Sequence, residues 1–212
     1  MAYVKAAERE EQIVAAAIAE FSDNGVPGTT LRAVATRAGI PLGTLHYIFP
    51  SKDRLLRAVI TTVIDEIAEA LRAELTVDKG VEHALRHGVG NFWNKLVSNR
   101  IGLQIMQYEL LTYSLRSDTD GDLVQMQYER YSALVTDFCE QAAQAAGERC
   151  AVGFDTLGRI ALAQLDGLIL QYIAKPDTDR ARRDLDHVLN MLVLYADPQP
   201  VARTKALRSE PA

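Results

Sequence analysis

Between Ala38 and Leu55 the chain reads AGIPLGTLHYIFPSKDRL, and the spacing of glycine and proline there restricts what the stretch can become. Gly39 can take the positive φ that ends one helix sharply, and Pro41 can enter the first turn of the next, where its missing N–H is not needed. Pro50 closes the segment, so about two helical turns fit from Leu42 to Phe49. Leu45 and Phe49, spaced i, i+4, anchor that short helix inward and leave Thr44, His46 and Tyr47 on its outward face. Small or hydrogen-bonding groups of this kind suit base edges and phosphates in a major groove, and Gly43 beside them lets the backbone approach closely. The segment predicts the turn and second helix of a DNA-reading helix-turn-helix.

The flanking residues fit that reading. Ile13, Ala17 and Phe21 recur every four residues as one face of a helix requires, and Asn24-Gly25 closes that helix near Asn24. Thr29 and Thr30 offer a hydroxyl N-cap for a second helix with Leu31, Val34, Ala35 and Ala38 facing inward. After Pro50, Ser51 caps a long helix that carries Lys52 in its first turn. A cation there opposes the helix dipole, and contact with phosphate would explain it. Arg32 and Lys52 flank the short helix and read either as phosphate or base contacts or as solvated helix-end charges. His46 and Tyr47 read as contacts or as packing groups of the small domain. Leu42 cannot donate a hydrogen bond but can touch a thymine methyl.

Taken together, these residues resemble the TetR family of transcriptional regulators. The family's Thr-Thr pair, Ala-Gly turn, Gly-Thr-Leu and Phe-Pro-Ser-Lys stand here as Thr29-Thr30, Ala38-Gly39, Gly43-Thr44-Leu45 and Phe49-Pro50-Ser51-Lys52. The match runs from Ile13 to Leu55 and departs from the family's usual residues at Pro41, Leu42, His46 and Ile48. The resemblance implies a repressor that a small, largely apolar effector releases from a double-stranded, palindromic DNA operator. It places DNA contacts at Thr30, Arg32, Leu42, Gly43, Thr44, His46, Tyr47 and Lys52. An activator, or a DNA-binding protein without a ligand, is the alternative.

Charge alone does not suggest DNA. The 212 residues carry a net −5, of which residues 1–57 hold +1 and the remainder −6. DNA affinity must therefore come from placed cations, namely Lys5, Arg9, Arg32, Arg37, Lys52 and Arg54. No run approaches about 18 apolar residues, so a soluble, cytoplasmic protein without a membrane segment is expected. Two cysteines, Cys139 and Cys150, are too few for a disulfide framework and read as free thiols. His83 and His87 share a helix face at i, i+4, yet with no clear third donor they read as a solvated face rather than a metal site. No nucleophile elbow, zinc-protease motif or phosphate-cradling glycine loop is present, so neither an enzyme nor a cofactor is expected.

Helical stripes fill the rest of the chain: Leu55 to Leu75, Val81 to Leu96, Leu103 to Tyr113, Leu123 to Phe138, Phe154 to Tyr172 and Leu185 to Val193. Breaks fall at Thr76–Gly80, Asn99–Gly102, Asp118–Gly121, Gly147 and Pro176. The fold class is all-α, about nine helices. A helix-turn-helix domain, residues 1–50, joins through a long helix to a larger ligand-binding and dimerisation domain, residues 51–197, and a tail, 198–212, has the composition of a flexible segment. Phe92, Trp93, Met106, Tyr108, Glu109, Tyr113, Met126, Tyr128 and Tyr131 form an aromatic, methionine and polar inventory that reads as bundle core or as the lining of an effector cavity, with Glu109, Gln104, Gln107 or Gln164 as groups that would orient the effector. The last two helices are apolar on several faces and need a second burial partner, which a homodimer supplies. Small residues Gly158, Ala161, Ala163 and Gly167 and apolar Leu165, Leu168, Leu189 and Leu192 are the candidates for that contact. Ligand binding is expected to tilt the long helix that begins at Ser51 and so separate the two reading helices.

Overall fold

The computed structural model describes residues 2–72, 77–116 and 122–201. Among these residues nine helices form: α1 (Ala2–Asn24), α2 (Leu31–Arg37), α3 (Leu42–Ile48), α4 (Lys52–Arg72), α5 (80–97), α6 (Ile101–Arg116), α7 (Asp122–Ala146), α8 (Phe154–Ala174) and α9 (Thr178–Ala196). The fold is all-α, as expected. The expected turn at Asp118–Gly121, the end of the long helix near Thr76, the side chain of Lys5 and the tail beyond Val201 lie outside the described residues.

Local chemistry sets the N-terminal boundaries. Gly25 and Gly39 take φ of +79° and +65°, the left-handed turns that stop α1 and α2. Thr30 caps α2 by accepting from the Ala33 N–H at 3.2 Å, and the Thr29 hydroxyl donates back to the Gly25 carbonyl at 2.6 Å. Pro41 sits one residue earlier than expected, at the N-cap of α3 with ψ of 141°. Its carbonyl there accepts from the N–H groups of Thr44 and Leu45.

The apolar core does not break at Pro50. One cluster joins Ile13, Phe21, Leu45 and Phe49 of the small domain to Leu55, Val59 and Ile64 of α4 and to Met106 and Leu110 of α6. A second cluster lies among α5, α7, α8 and α9. Arg130 of α7 donates to Thr61 at 2.9 Å and pairs with Asp65 at 3.0 Å, tying α4 to the bundle. Helix α5 is not uniform, because Ala84–Gly88 and Trp93–Val97 are π turns.

The start of the tail departs from the flexible reading. Gln199–Pro200 pairs antiparallel with Glu148–Arg149, and the Val201 N–H donates to the Gly147 carbonyl at 2.7 Å. Proline tolerates such an edge because the ladder needs no donor from it.

Gly158 is where α8 presses on α7: a methyl group there would stand 2.9 Å from the Ser132 carbonyl and collide with the Thr136 hydroxyl. Gly158→Ala is expected to destabilise the fold by about 1–3 kcal/mol, read as a lower urea midpoint with an unchanged slope.

Candidate nucleic-acid interface and internal cavity

Helix α3 has one buried side and one open side. Leu45 and Phe49 are buried, which fixes the helix against α1 and α2. Gly43, His46 and Tyr47 are exposed, Thr44 is half-buried, and Tyr47 reaches 89% exposure. An aromatic side chain held that far into solvent contributes nothing to the core. A Cβ at Gly43 would meet nothing within 4 Å, so nothing inside the chain requires glycine at that position. Leu42 is half-buried and packs on the small-domain core, which limits it to an edge contact. Thr30 and Arg32 are exposed on the neighbouring α2.

The cations divide sharply. Arg37 is held by Glu20 at 2.6 Å and Asp23 at 2.7 Å, and Arg9 donates to Gln12 at 3.1 Å. Arg32 and Arg54 are exposed, and among the described residues no hydrogen bond or ion pair engages their guanidinium groups.

Lys52 departs from the expected phosphate contact. Its ammonium does not face outward: it donates to the carbonyls of Val26 at 2.8 Å and Thr29 at 2.9 Å and lies 4.8 Å from the Tyr113 ring centroid. Burial lowers its pKa, against the opposing effect of Asp53. The loop between α1 and α2 turns its carbonyls toward α4, and the amine satisfies them; no phosphate is needed to explain a cation in that first turn. Glu109, expected as a ligand contact, is the matching acceptor, taking the Val26 N–H at 2.8 Å.

A cavity of about 90 Å³ lies inside the bundle. Ile67 of α4, Val89 and Phe92 of α5, Leu111 of α6, Leu134 of α7 and Leu162 and Ile169 of α8 give it apolar walls, while Gln104, Gln107, Gln127, Tyr108, Tyr128, Tyr131 and Asp166 supply the polar groups. The carboxamides are already engaged. Gln104 donates to the Leu96 carbonyl at 2.9 Å, Gln107 donates to Gln104 at 3.3 Å, and the Tyr131 hydroxyl donates to Gln107. Tyr108 donates to the Asp166 backbone carbonyl at 3.1 Å. Burial pushes the Asp166 carboxyl above the usual carboxylate range, with the neighbouring hydroxyls of Tyr128 and Tyr108 pulling the other way. Burial also raises Tyr108 and Tyr131 and takes Tyr128 up to about 12.

Of the expected ligand contacts, the structure brings Phe92, Gln104, Gln107, Tyr108, Tyr128 and Tyr131 to this cavity. Trp93 is buried in the second core cluster, edge-on to Tyr172 at 5.6 Å. Met106 is fully buried in the first cluster, where the Ser22 hydroxyl meets its sulfur at 3.9 Å. Tyr113 lies under Lys52, Met126 takes the Arg57 guanidinium at 3.4 Å, and Gln164 is exposed on α8. Asp166 was missed, although it is the one charged residue between Arg159 and Lys175. His83 and His87 stack at 3.9 Å, and among the described residues no third donor joins them. Both cysteines are free, and no described helix is long and apolar enough to cross a membrane.

A short exposed helix on a helix-turn-helix, carried by a larger helical bundle with its own cavity, defines a DNA-binding regulatory protein. The comparisons agree. Residues 13–59 match the model for bacterial regulatory proteins of the tetR family. The chain is 31% identical over 193 residues to the HTH-type transcriptional regulator BetI of Burkholderia cenocepacia, covering 89% of this chain and 95% of that one. It is 23% identical over 187 residues to the nicotine-responsive transcriptional repressor HdnoR of Paenarthrobacter nicotinovorans, covering 88% and 95%. A TetR-family regulator structure from Rhodococcus sp. shares the fold, with a TM-score of 0.75 at 18% identity over 90% of this chain and 99% of that one. The chain belongs to the TetR family of transcriptional regulators, which are not enzymes.

The inward seat of Lys52 makes a checkable claim. Lys52→Ala is expected to cost about 1–3 kcal/mol of stability, since two backbone carbonyls lose a charged donor. In salt titrations the folded variant should keep the DNA-binding slope of the parent; a slope reduced by about one would return Lys52 to phosphate contact.

Proposed function

We propose that the protein is a ligand-responsive repressor, a cytoplasmic homodimer that holds a palindromic operator through paired α3 helices and releases it when a small molecule fills the cavity. The observation that carries this reading is the double duty of α6. Gln104, Gln107, Tyr108 and Leu111 of that helix line the cavity, while Glu109 holds the Val26 N–H of the loop that leads into α2. A ligand that displaces α6 therefore acts on the orientation of α2 and α3 directly, besides any tilt of α4. The nicotine-responsive relative supports an answer to small molecules. Coupling of about 1–3 kcal/mol suffices for such release.

Thr30, Arg32, Gly43, Thr44, His46 and Tyr47 are the residues we assign to DNA, with Leu42 at the margin. In this assignment Arg32 and Arg54 bring the positive charge to the phosphates, and the bare backbone at Gly43 and the projecting Tyr47 face the groove.

Dimerisation through the last two helices is supported mainly by residues other than those read from sequence, of which Ala163 and Gly167 stay exposed. Leu165, Leu189 and Leu192 are buried within the chain, and Gly158 serves the packing of α8 on α7. The outward apolar surface consists instead of Ile160 and Leu170 on α8 and Met191, Leu194 and Tyr195 on α9, with Leu194 at 79% exposure. Gly167 lies on the same helix with open space around it. An apolar surface of this kind calls for a partner, and a second copy provides a self-complementary one.

Selection of binding sites from a random DNA pool should return a palindrome. Against that site Arg32→Ala should flatten the salt dependence by about one, and Gly43→Ala should weaken binding at an unchanged melting temperature. Sedimentation should give two chains at micromolar concentration, and Leu194→Glu should give one. Glu109→Ala, which removes the acceptor of the Val26 N–H, should lose most of its ligand-induced release in protein that still binds the operator. A protein that selects DNA yet never responds to ligands, or that activates transcription, would overturn the repressor reading.

A further inference from the structure

Asp166 is the one ionisable carboxylate on the cavity wall, and no lysine, arginine or histidine lines that wall with it. Nor does it form an ion pair elsewhere among the described residues: the described salt bridges leave it out, and the groups that influence it are tyrosines. A carboxylate placed in a largely apolar site without a cation is costly, and such groups are normally paired. Its surroundings are unusual in a second way. Tyr108, Tyr128 and Tyr131 from α6 and α7 converge on the same wall, with Phe92 from α5. Electron-rich aromatic surface attracts cations, best when the cation is poorly hydrated. The neutral polar groups of the wall are largely committed, since Gln104, Gln107 and Tyr131 form a chain of hydrogen bonds ending on the Leu96 carbonyl. Only the Tyr128 and Tyr108 hydroxyls act against the cost of burying the Asp166 carboxylate, and no cation faces it.

We propose that this cavity takes a small organic cation, a quaternary or protonated tertiary amine, whose charge is met by Asp166 and whose alkyl groups lie against Tyr108, Tyr128, Tyr131 and Phe92. The inference rests on the cavity being the effector site, and it narrows the effector from a largely apolar molecule to a cationic one. A cavity of about 90 Å³ sets the scale of the head group, and longer substituents extend toward solvent past the half-exposed Tyr128.

The test uses the full chain and a pair of compact probes of similar shape, tetramethylammonium and neutral tert-butanol, with sodium chloride matched throughout. Protein-observed NMR titrations should show tetramethylammonium binding at least tenfold tighter than tert-butanol, with shifts centred on α6, α7 and α8. Asp166→Asn should erase that preference while leaving tert-butanol unaffected. Tyr128→Leu, at a half-exposed position, should weaken the cation severalfold in protein whose melting temperature matches the parent. Equal binding of the two probes, a preference that survives Asp166→Asn, or no binding of either at millimolar concentration would overturn the proposal. Operator release is scored separately in the same samples. Cation binding without release upholds the site and sinks its regulatory role; release by neutral ligands alone does the reverse.

Discussion

One residue, Val26, ties the reading domain to the bundle through both of its backbone groups. Its N–H is taken by Glu109 of α6 at 2.8 Å and its carbonyl by Lys52 of α4 at 2.8 Å. The Val26 side chain is fully buried, so its backbone groups must find partners within the protein. Meeting both needs with charged side chains from two different helices makes the α1–α2 loop a junction rather than a connector. The unbroken core beneath it, from Phe21 through Leu55 to Met106, makes the small domain and the near half of the bundle one packed unit.

That junction also explains what the sequence could and could not reveal. The boundaries of α1, α2 and α3 were legible because they depend on neighbours: Gly25, Thr30 and Gly39 act within a few residues of themselves. Lys52 and Glu109 were misread because their partners lie 26 and 83 residues away; a charge near a reading helix, or amid apolar residues, looks functional until its partner is known. The cavity lining was harder still. Phe92 and Trp93 are adjacent, and the π turn that begins at Trp93 shifts the phase of the helix, so a regular 3.6-residue period cannot say which of the two faces the void. Met106, Tyr113 and Met126 are apolar stripe residues of the same kind as Phe92, and only the packing of α6 on α1 decides that Met106 goes to the core. Asp166 did leave a signal, a lone charge in an otherwise apolar stretch.

The bundle interior follows two rules side by side. Around Trp93, Leu157 and Leu189 it is close-packed and apolar, as stability demands. Around Tyr131 and Asp166 it gives up that packing for a polar wall. Violations of packing logic of this sort concentrate where a protein works.

The order of residues on α6 carries a further consequence. Tyr108 bonds to α8 and Glu109 to the α1–α2 loop, and successive side chains on a helix point about 100° apart along one rigid rod. Motion of that rod cannot be private to either end. Linkage then demands symmetry: whatever factor an occupied cavity removes from operator affinity, a bound operator must remove from the cavity's affinity for its ligand. If occupancy of the cavity weakens operator binding as proposed, the protein on DNA is a less sensitive detector than the same protein free in solution.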